Sequence, residues 1–373
     1  TACGLAIQTR PIAIRARRSD FVNVRQATTQ YEAWLAAQIP LLKEDLKLKH
    51  QRMQEDPFFF LRATFYRWAQ VWEEACGKLA SGSVVLSVGD LHVENFGTWR
   101  DKEGRLVWGV NDYDETHPMP YTNDLIRLAT SALLAHKELN TPAKRASEEI
   151  LRGYEESLKA GGKAFVLVDH DTPLREMVIH RLKQPERFWE KFTRLVPLKS
   201  PVKRDVLDAV RSILPAENIR LRFGHRIAGL GSLGRERFTG VGVWEGGSIA
   251  REAKAWAPSA CFFARGGKTG PLFIADILKR AVRAHDPYWK IQGRWNVRRL
   301  SPDCFRLELT HLPKERDELK LLYAMGWETA NIHLGSGKGA EIRKNLRQKP
   351  AHWLYKSALA MEEQTQEDWG DWR

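Results

Sequence analysis

The spacing of apolar residues changes along this chain, and the order of the change constrains the fold more than any other feature. From about residue 27 to 80, apolar side chains recur at helical spacing. Leu61, Phe65, Trp68 and Trp72 fall on one stripe, and Pro40 divides an earlier helical stretch over 30–48. Residues 84–88 read as a short buried strand, and 95–100 with 105–110 as a hairpin. Helical spacing returns over 124–136 and 143–160, whereas 161–222 is mixed and basic. From 226 the character changes. Residues 226–229, 237–244 and 248–256 read as consecutive strands, 271–284 as a helix, and 295–300 with 304–309 as a second hairpin. Helices close the chain over 315–332 and 349–363, with a polar tail after Glu362 expected to fray. The expected class is therefore α+β. A helical large lobe spans 1–222, a small antiparallel β lobe 223–312, and a helical return 313–373.

Two groups of polar residues stand out. The first is Gly89-Asp90-Leu91-His92-Val93-Glu94-Asn95, directly after the strand over 84–88, with Asn111-Asp112-Tyr113-Asp114-Glu115 at the far end of the hairpin. Phosphoryl transfer needs a carboxylate beside the acceptor hydroxyl and oxygen ligands that hold Mg²⁺ against the phosphates. Asp90 and Asn95 stand five positions apart, the Asp-x-x-x-x-Asn spacing of a kinase catalytic loop. Asp90 is the candidate catalytic carboxylate, and Asn95 the candidate metal ligand through its amide oxygen. Asp112 is the expected main magnesium ligand and Asp114 a second. Crowding of Asp112, Asp114 and Glu115 is costly without a cation, which argues for a metal. His92 completes the catalytic loop and is expected to brace it by donating to a backbone or carboxylate acceptor. A strand followed by Asp-x-His also opens metallophosphoesterase sites, but no Gly-Asn-His follows here. Either motif alone reads as readily as a turn. Together and in this order they favour a site.

The second group is Gly229-Leu230-Gly231-Ser232-Leu233-Gly234. G-x-G-x-x-G alone is weak, since dinucleotide folds and ordinary turns share it. A strand rather than a helix follows it here, the kinase arrangement in which backbone N–H groups cover phosphates. Gly229, Gly231, Ser232 and Gly234 are the candidate phosphate loop. The next strand carries Arg251-Glu252-Ala253-Lys254, with Lys254 favoured and Arg251 the alternative as the phosphate-binding cation. A kinase lysine pairs with a helix glutamate, yet the helix over 271–284 offers only Asp276.

In ordinary kinases the glycine loop precedes the catalytic loop; here it follows Asp90 by about 140 residues. The expected fold is a protein-kinase-like two-lobed domain in circularly permuted order, a rearrangement that surface termini allow. Asp56-Pro57-Phe58-Phe59-Phe60-Leu61-Arg62, Gly89-Asp90-Leu91-His92 through Asn95-Phe96-Gly97, and Asn111-Asp112-Tyr113-Asp114-Glu115-Thr116 resemble the bacterial domain of unknown function 2252 family. So do the Gly229–Gly234 loop and Lys254 through Pro258-Ser259. The Gly-Asp-x-His-x-x-Asn core is also similar to aminoglycoside phosphotransferases. That resemblance implies that Asp124 is the buried acid bracing the metal loop.

A formal charge of +13 favours anionic partners, though the basic residues are dispersed apart from Arg15, Arg17 and Arg18. Four cysteines without a CxxC pair argue against zinc and for a reducing compartment, and no run is long enough to cross a bilayer. The early basic residues follow rather than precede the mildly apolar start, the wrong order for a secretory signal. A cytoplasmic enzyme is expected, using ATP and Mg²⁺ to phosphorylate a small-molecule or protein hydroxyl; nucleic acid is not favoured. The alternatives are a nucleotide-binding regulator with little turnover and a nucleotidyl (AMP) transferase.

Overall fold

The computed structural model describes residues 22–167, 174–176, 185–193, 195–198, 200–304, 306, 309 and 317–373. Cys3, Arg15, Arg17, Arg18 and Glu315 lie outside them. The chain is mixed α+β with antiparallel sheets, as its spacing predicts.

Local signals set the first helices. Asn23 caps α1 (Val24–Ala36) by accepting the Gln26 N–H. Pro40 separates it from α2 (Lys43–Glu55). Asp56 caps α3 (Pro57–Ala63), accepting from the Phe58 N–H at 2.7 Å, with Pro57 where a missing N–H costs nothing. α4 (Phe65–Cys76) buries Phe65, Trp68 and Trp72. Next come β1 (Val84–Ser87), the hairpin β2 (Phe96–Arg100) and β3 (Leu106–Val110), and β4 (His117–Pro120). β1 pairs with β4, and β5 (Phe165–Val166) extends the β2–β3 hairpin. Between them run α5 (Thr122–Leu134), buried along its whole length, α6 (His136–Leu139) and α7 (Ala143–Ala160).

The larger sheet joins β6 (Val196–Pro197), β7 (Arg222–His225), β8 (Arg237–Trp244), β9 (Gly247–Ala255), β10 (Trp289–Gln292) and β11 (Trp295–Leu300). Their order is β10-β11-β9-β8-β7-β6, antiparallel throughout. α8 (Pro185–Thr193) and α9 (Arg204–Arg211) precede β7, and α9 packs Val206, Ala209 and Val210 against Ala253, Ala255, Trp295 and Val297. This layer's packing thus begins before residue 223. Conversely, α10 (Ala260–Ala264) and α11 (Ile274–Arg280) bury Cys261, Ile274 and Ile277 in the apolar core shared with α4, α5 and α7.

Several expected elements move. The strand expected over 226–229 lies instead at β7, because the chain leaves the ladder toward Gly229, at φ +74°, and Arg226 turns to pair with Glu252 at 2.7 Å. The helix expected over 271–284 is confined to α11. Of the hairpin expected over 295–300 and 304–309, residues 305, 307 and 308 lie outside the described residues, and β11 takes β10 and β9 as its neighbours. The described residues beyond it turn toward the first hairpin, where Thr98 Oγ1 donates to the Asp303 carbonyl at 2.8 Å and Arg306 bridges to Gly97.

The chain closes with α12 (Glu318–Leu334), α13 (Gly339–Leu346) and α14 (Trp353–Trp372). α12 crosses α7 with backbones almost touching: a Cβ at Gly326 would collide with the Ile150 carbonyl, and one at Gly153 with that of Tyr323. The tail after Glu362 does not fray. Arg67 bonds Asp368 twice at 2.9 Å, Arg25 donates to the Asp371 and Trp372 carbonyls, and Trp372 packs with Val24, Phe60, Leu230 and Leu233. Among the described residues no helix is long and apolar enough to cross a membrane, and Cys76, Cys261 and Cys304 are free thiols.

Candidate functional site

α5 builds the floor of a narrow cleft. Asp124, Arg127 and Ser131 stand at i, i+3 and i+7, so one helix face presents all three. Asp124 accepts the N–H groups of Val88 at 2.7 Å and Gly89 at 3.0 Å, and bonds His333 Nε2 at 3.0 Å; His333 Nδ1 in turn meets the Tyr154 hydroxyl at 2.8 Å. Asn123 donates to the Gly89 carbonyl and is held by Trp68 Nε1. Gly89 sits at φ +81°, and a Cβ there would strike the Glu115 carbonyl. Asp124 is therefore a buried brace, but of the turn that presents Asp90 rather than of the Asp112 loop. Arg127 lies between the Phe65 and Trp68 rings and bonds Asp90 Oδ1 through Nε at 2.9 Å and Nη2 at 2.5 Å. Burial raises the Asp90 pKa, and Arg127 opposes the rise.

Asn95 joins the two acidic loops. Its amide nitrogen donates to the Asp90 carbonyl at 3.0 Å and the Asp112 carbonyl at 3.1 Å. Two carbonyl partners fix which end of the amide is nitrogen, so Oδ1 points elsewhere. That oxygen is buried and without a hydrogen-bond partner. Asp112 follows β3, accepts the Asp114 N–H at 3.2 Å, and lies 3.7 Å from Lys254 Nζ and 4.0 Å from Arg306. Burial raises its pKa, but Lys254, Arg306 and Arg298 outweigh burial and hold it below the usual range. Among the described residues no three His, Cys, Asp or Glu side chains gather as a metal cluster. Asn95 Oδ1 and Asp112 are nevertheless hard oxygen donors suited to Mg²⁺, which commonly keeps water and phosphate as its remaining ligands.

The acidic crowding has a different resolution from the expected one. Asp114 takes Lys254 at 2.6 Å and Arg235 at 3.3 Å; Glu115 takes Arg235 at 3.2 Å and the Ala260 N–H at 2.7 Å. The protein supplies its own cations, so crowding alone does not call for a metal, and Asp114 is occupied as a partner of Lys254. Burial still lifts the Glu115 carboxyl to about 7, with Arg235 opposing. Lys254 finds its acid in Asp114; Asp276 pairs instead with Arg280 on the surface. Arg251, the alternative phosphate-binding cation, is not placed to reach the cleft. It lies on the other face of β9, donates to the Ile213 carbonyl and stacks over Tyr288, away from the cleft.

The glycine turn faces the acids. Gly229, Gly231, Ser232 and Arg235 line the same cleft as Asp90, His92, Asn95, Asp112 and Asp114. A Cβ on Gly231 would lie 3.5 Å from Asp90 Oδ2. Gly234, at φ +97°, backs onto Leu46 of α2 rather than facing the cleft. The N–H groups of Ser232, Leu233 and Arg235 are engaged within the turn itself, which trims the expected cradle. His92 is buried. Its Nδ1 accepts the Glu94 N–H at 3.2 Å instead of donating, and burial together with Arg62, Arg306 and Arg127 holds its pKa well down. It braces the loop as a neutral ring. Arg62 pairs with Glu94 at 2.5 Å.

Sequence reasoning does not anticipate Lys49, Arg127, Arg235 or Arg306. Arg127 had a signal, a lone charge in the otherwise uncharged stretch 125–134 of a helix. Arg235 directly follows the glycine motif, whereas Lys49 lies in a lysine-rich helix that reads as surface.

Residues 41–186 match the model of a family described as uncharacterized protein conserved in bacteria (DUF2252). The matched stretch holds Lys49, Asp90, Asn95, Asp112 and Arg127; the glycine turn, Arg235 and Lys254 lie beyond it. No curated protein and no solved structure matches the chain.

Proposed function

We propose that the cleft binds a nucleoside triphosphate with Mg²⁺ and transfers its terminal phosphoryl group to a hydroxyl acceptor, on a kinase-like arrangement whose two lobes occur in permuted order. The observation that carries this reading is convergence: the glycine turn over 229–235 lines one cleft with Asp90, Asn95 and Asp112, and the strand lysine Lys254 reaches Asp112 at 3.7 Å and Asp114 at 2.6 Å. Asn95 Oδ1 and Asp112 would hold the metal, which when bound neutralises charge on the phosphates. Lys254 is positioned to exchange Asp114 for a phosphate oxygen. Asp90 Oδ1 is held by Arg127, leaving Oδ2 to orient the acceptor hydroxyl and take its proton as the new O–P bond forms and the bond to the leaving nucleoside diphosphate breaks.

Arg127 favours one other reading, a nucleotide-binding regulator with little turnover, because a guanidinium on the catalytic carboxylate weakens its hold on a proton. Calorimetry with ATP, with and without Mg²⁺, tests the site, and ATP labelled in the γ or α phosphate tests the reaction. Mg²⁺-dependent binding with transfer of the γ label is expected. Transfer of the α label would indicate AMP transfer, binding without transfer the regulator, and no Mg²⁺-dependent binding would sink the proposal.

A further inference from the structure

We propose that the cleft wall formed by α1 and α2 is a second anion subsite, in which Lys49 binds a phosphate or carboxylate carried by the hydroxyl acceptor. The acceptor role rests on the phosphotransfer reading; the subsite itself does not. Lys49 is only 5 % exposed and lines the cleft beside Tyr31 and Tyr66. Among the described residues its Nζ makes one long hydrogen bond, 3.3 Å to the Gly231 carbonyl, and it lies 5.9 Å from the Tyr66 ring centre. Among the described residues no carboxylate pairs with it. The nearby acids have other partners: Glu32 has His50, Asp90 has Arg127, Glu94 has Arg62, Glu115 has Arg235 and Asp114 has Lys254. A buried ammonium without a counter-ion is costly unless a ligand supplies the negative charge. Burial lowers the Lys49 pKa to about 8, so it remains charged at neutral pH.

Position separates this subsite from the nucleotide phosphates. Lys254 and Arg306 stand beside Asp112. Lys49 touches Gly231, the residue that faces Asp90 Oδ2, where the acceptor hydroxyl is placed.

The test is calorimetry of the parent, Lys49→Met and Lys49→Arg with two probes, glycerol 3-phosphate and glycerate, each titrated with and without a saturating non-hydrolysable ATP analogue and Mg²⁺. A probe should bind beside the analogue, and the stronger of the two identifies the anion. Lys49→Met should weaken it on the order of tenfold or more, as loss of a charge-assisted hydrogen bond does, and change analogue affinity less than about twofold. Lys49→Arg should retain most of the binding. Lys49→Met should also melt no lower than the parent, since it removes an uncompensated buried charge; a clear fall would make Lys49 a brace of the glycine turn and overturn the proposal. Competition between probe and analogue, with analogue affinity lost in Lys49→Met, would assign Lys49 to the nucleotide and overturn it too, as would failure of both probes to bind the parent. Failure of the analogue alone refutes the phosphotransfer reading, because titrations without nucleotide still read the subsite.

Discussion

Arg127→Met should destabilise the protein more than any other single truncation in the cleft. The guanidinium is fully buried, makes two bonds to Asp90 Oδ1 and one of 2.8 Å to the Leu61 carbonyl, and fills the gap between Phe65 and Trp68. Methionine refills much of the volume but leaves the carboxylate without its cation. Breaking one side of a buried ion pair costs about 3–5 kcal/mol. The Asp90 side chain keeps 20 % exposure and can protonate, which places the loss near the lower end, about 3 kcal/mol. Asp90→Asn in the Arg127→Met background removes the stranded charge and should recover about 2 kcal/mol. Urea unfolding of parent, both single variants and the double variant at neutral pH measures this cycle. The pH dependence has a definite sign. Burial raises the Asp90 pKa, and loss of Arg127 raises it further, so the deficit of Arg127→Met should shrink as pH falls and Asp90 protonates. Additive single variants, within about 0.5 kcal/mol, or a deficit that grows in acid, would refute the assigned pairing.

Asp112→Asn should weaken Mg·ATP binding by about tenfold or more, with the melting temperature little changed; equal affinity in calorimetry would remove Asp112 from the metal site. Burial lifts the Glu328 carboxyl to about 7, with Arg283 opposing, so the folded form holds that proton more tightly than the unfolded chain. Its stabilisation is full below the ordinary glutamate range and is lost as pH rises through about 7; Glu328→Gln should remove a total fall of about 3 kcal/mol in stability across that range, and an unchanged pH dependence would show that Glu328 is not its source. Gly326→Ala should cost about 3 kcal/mol, the upper end of overpacking, because a backbone carbonyl cannot move aside. Gly370→Ala, with open space around it in α14, should be neutral or slightly stabilising, and equal urea midpoints for the two variants would contradict the close crossing.

Local sequence carries the elements well and the side-chain partnerships poorly. The limits 143–160, 237–244 and 295–300 follow from periodicity alone and match α7, β8 and β11. The Asp90–Asn95 spacing and the strand end before Asp112 place three polar groups that do share a cleft. What is illegible is compensation. Nothing in Asp112-Tyr113-Asp114-Glu115 says that Arg235 and Lys254, over a hundred positions on, neutralise it. Strand parity does distinguish Lys254 from Arg251, since an odd separation puts them on opposite faces. The tail misleads because its polar residues hide Asp368 and Trp372, which turn inward at helical spacing and hold α14 in place.

The close crossing at Gly326 also acts as a ruler. Seven residues further along α12, two turns on the same face, stands His333, which bonds both Tyr154 of α7 and Asp124 beneath the Asp90 turn. A slip of one residue would shift α12 by about 1.5 Å, enough to part a hydrogen bond of 3.0 Å. The aim of Asp90 is thus calibrated by a contact between two backbones that never reach the cleft. Side chains that thicken that contact would detune the carboxylate without touching anything it touches.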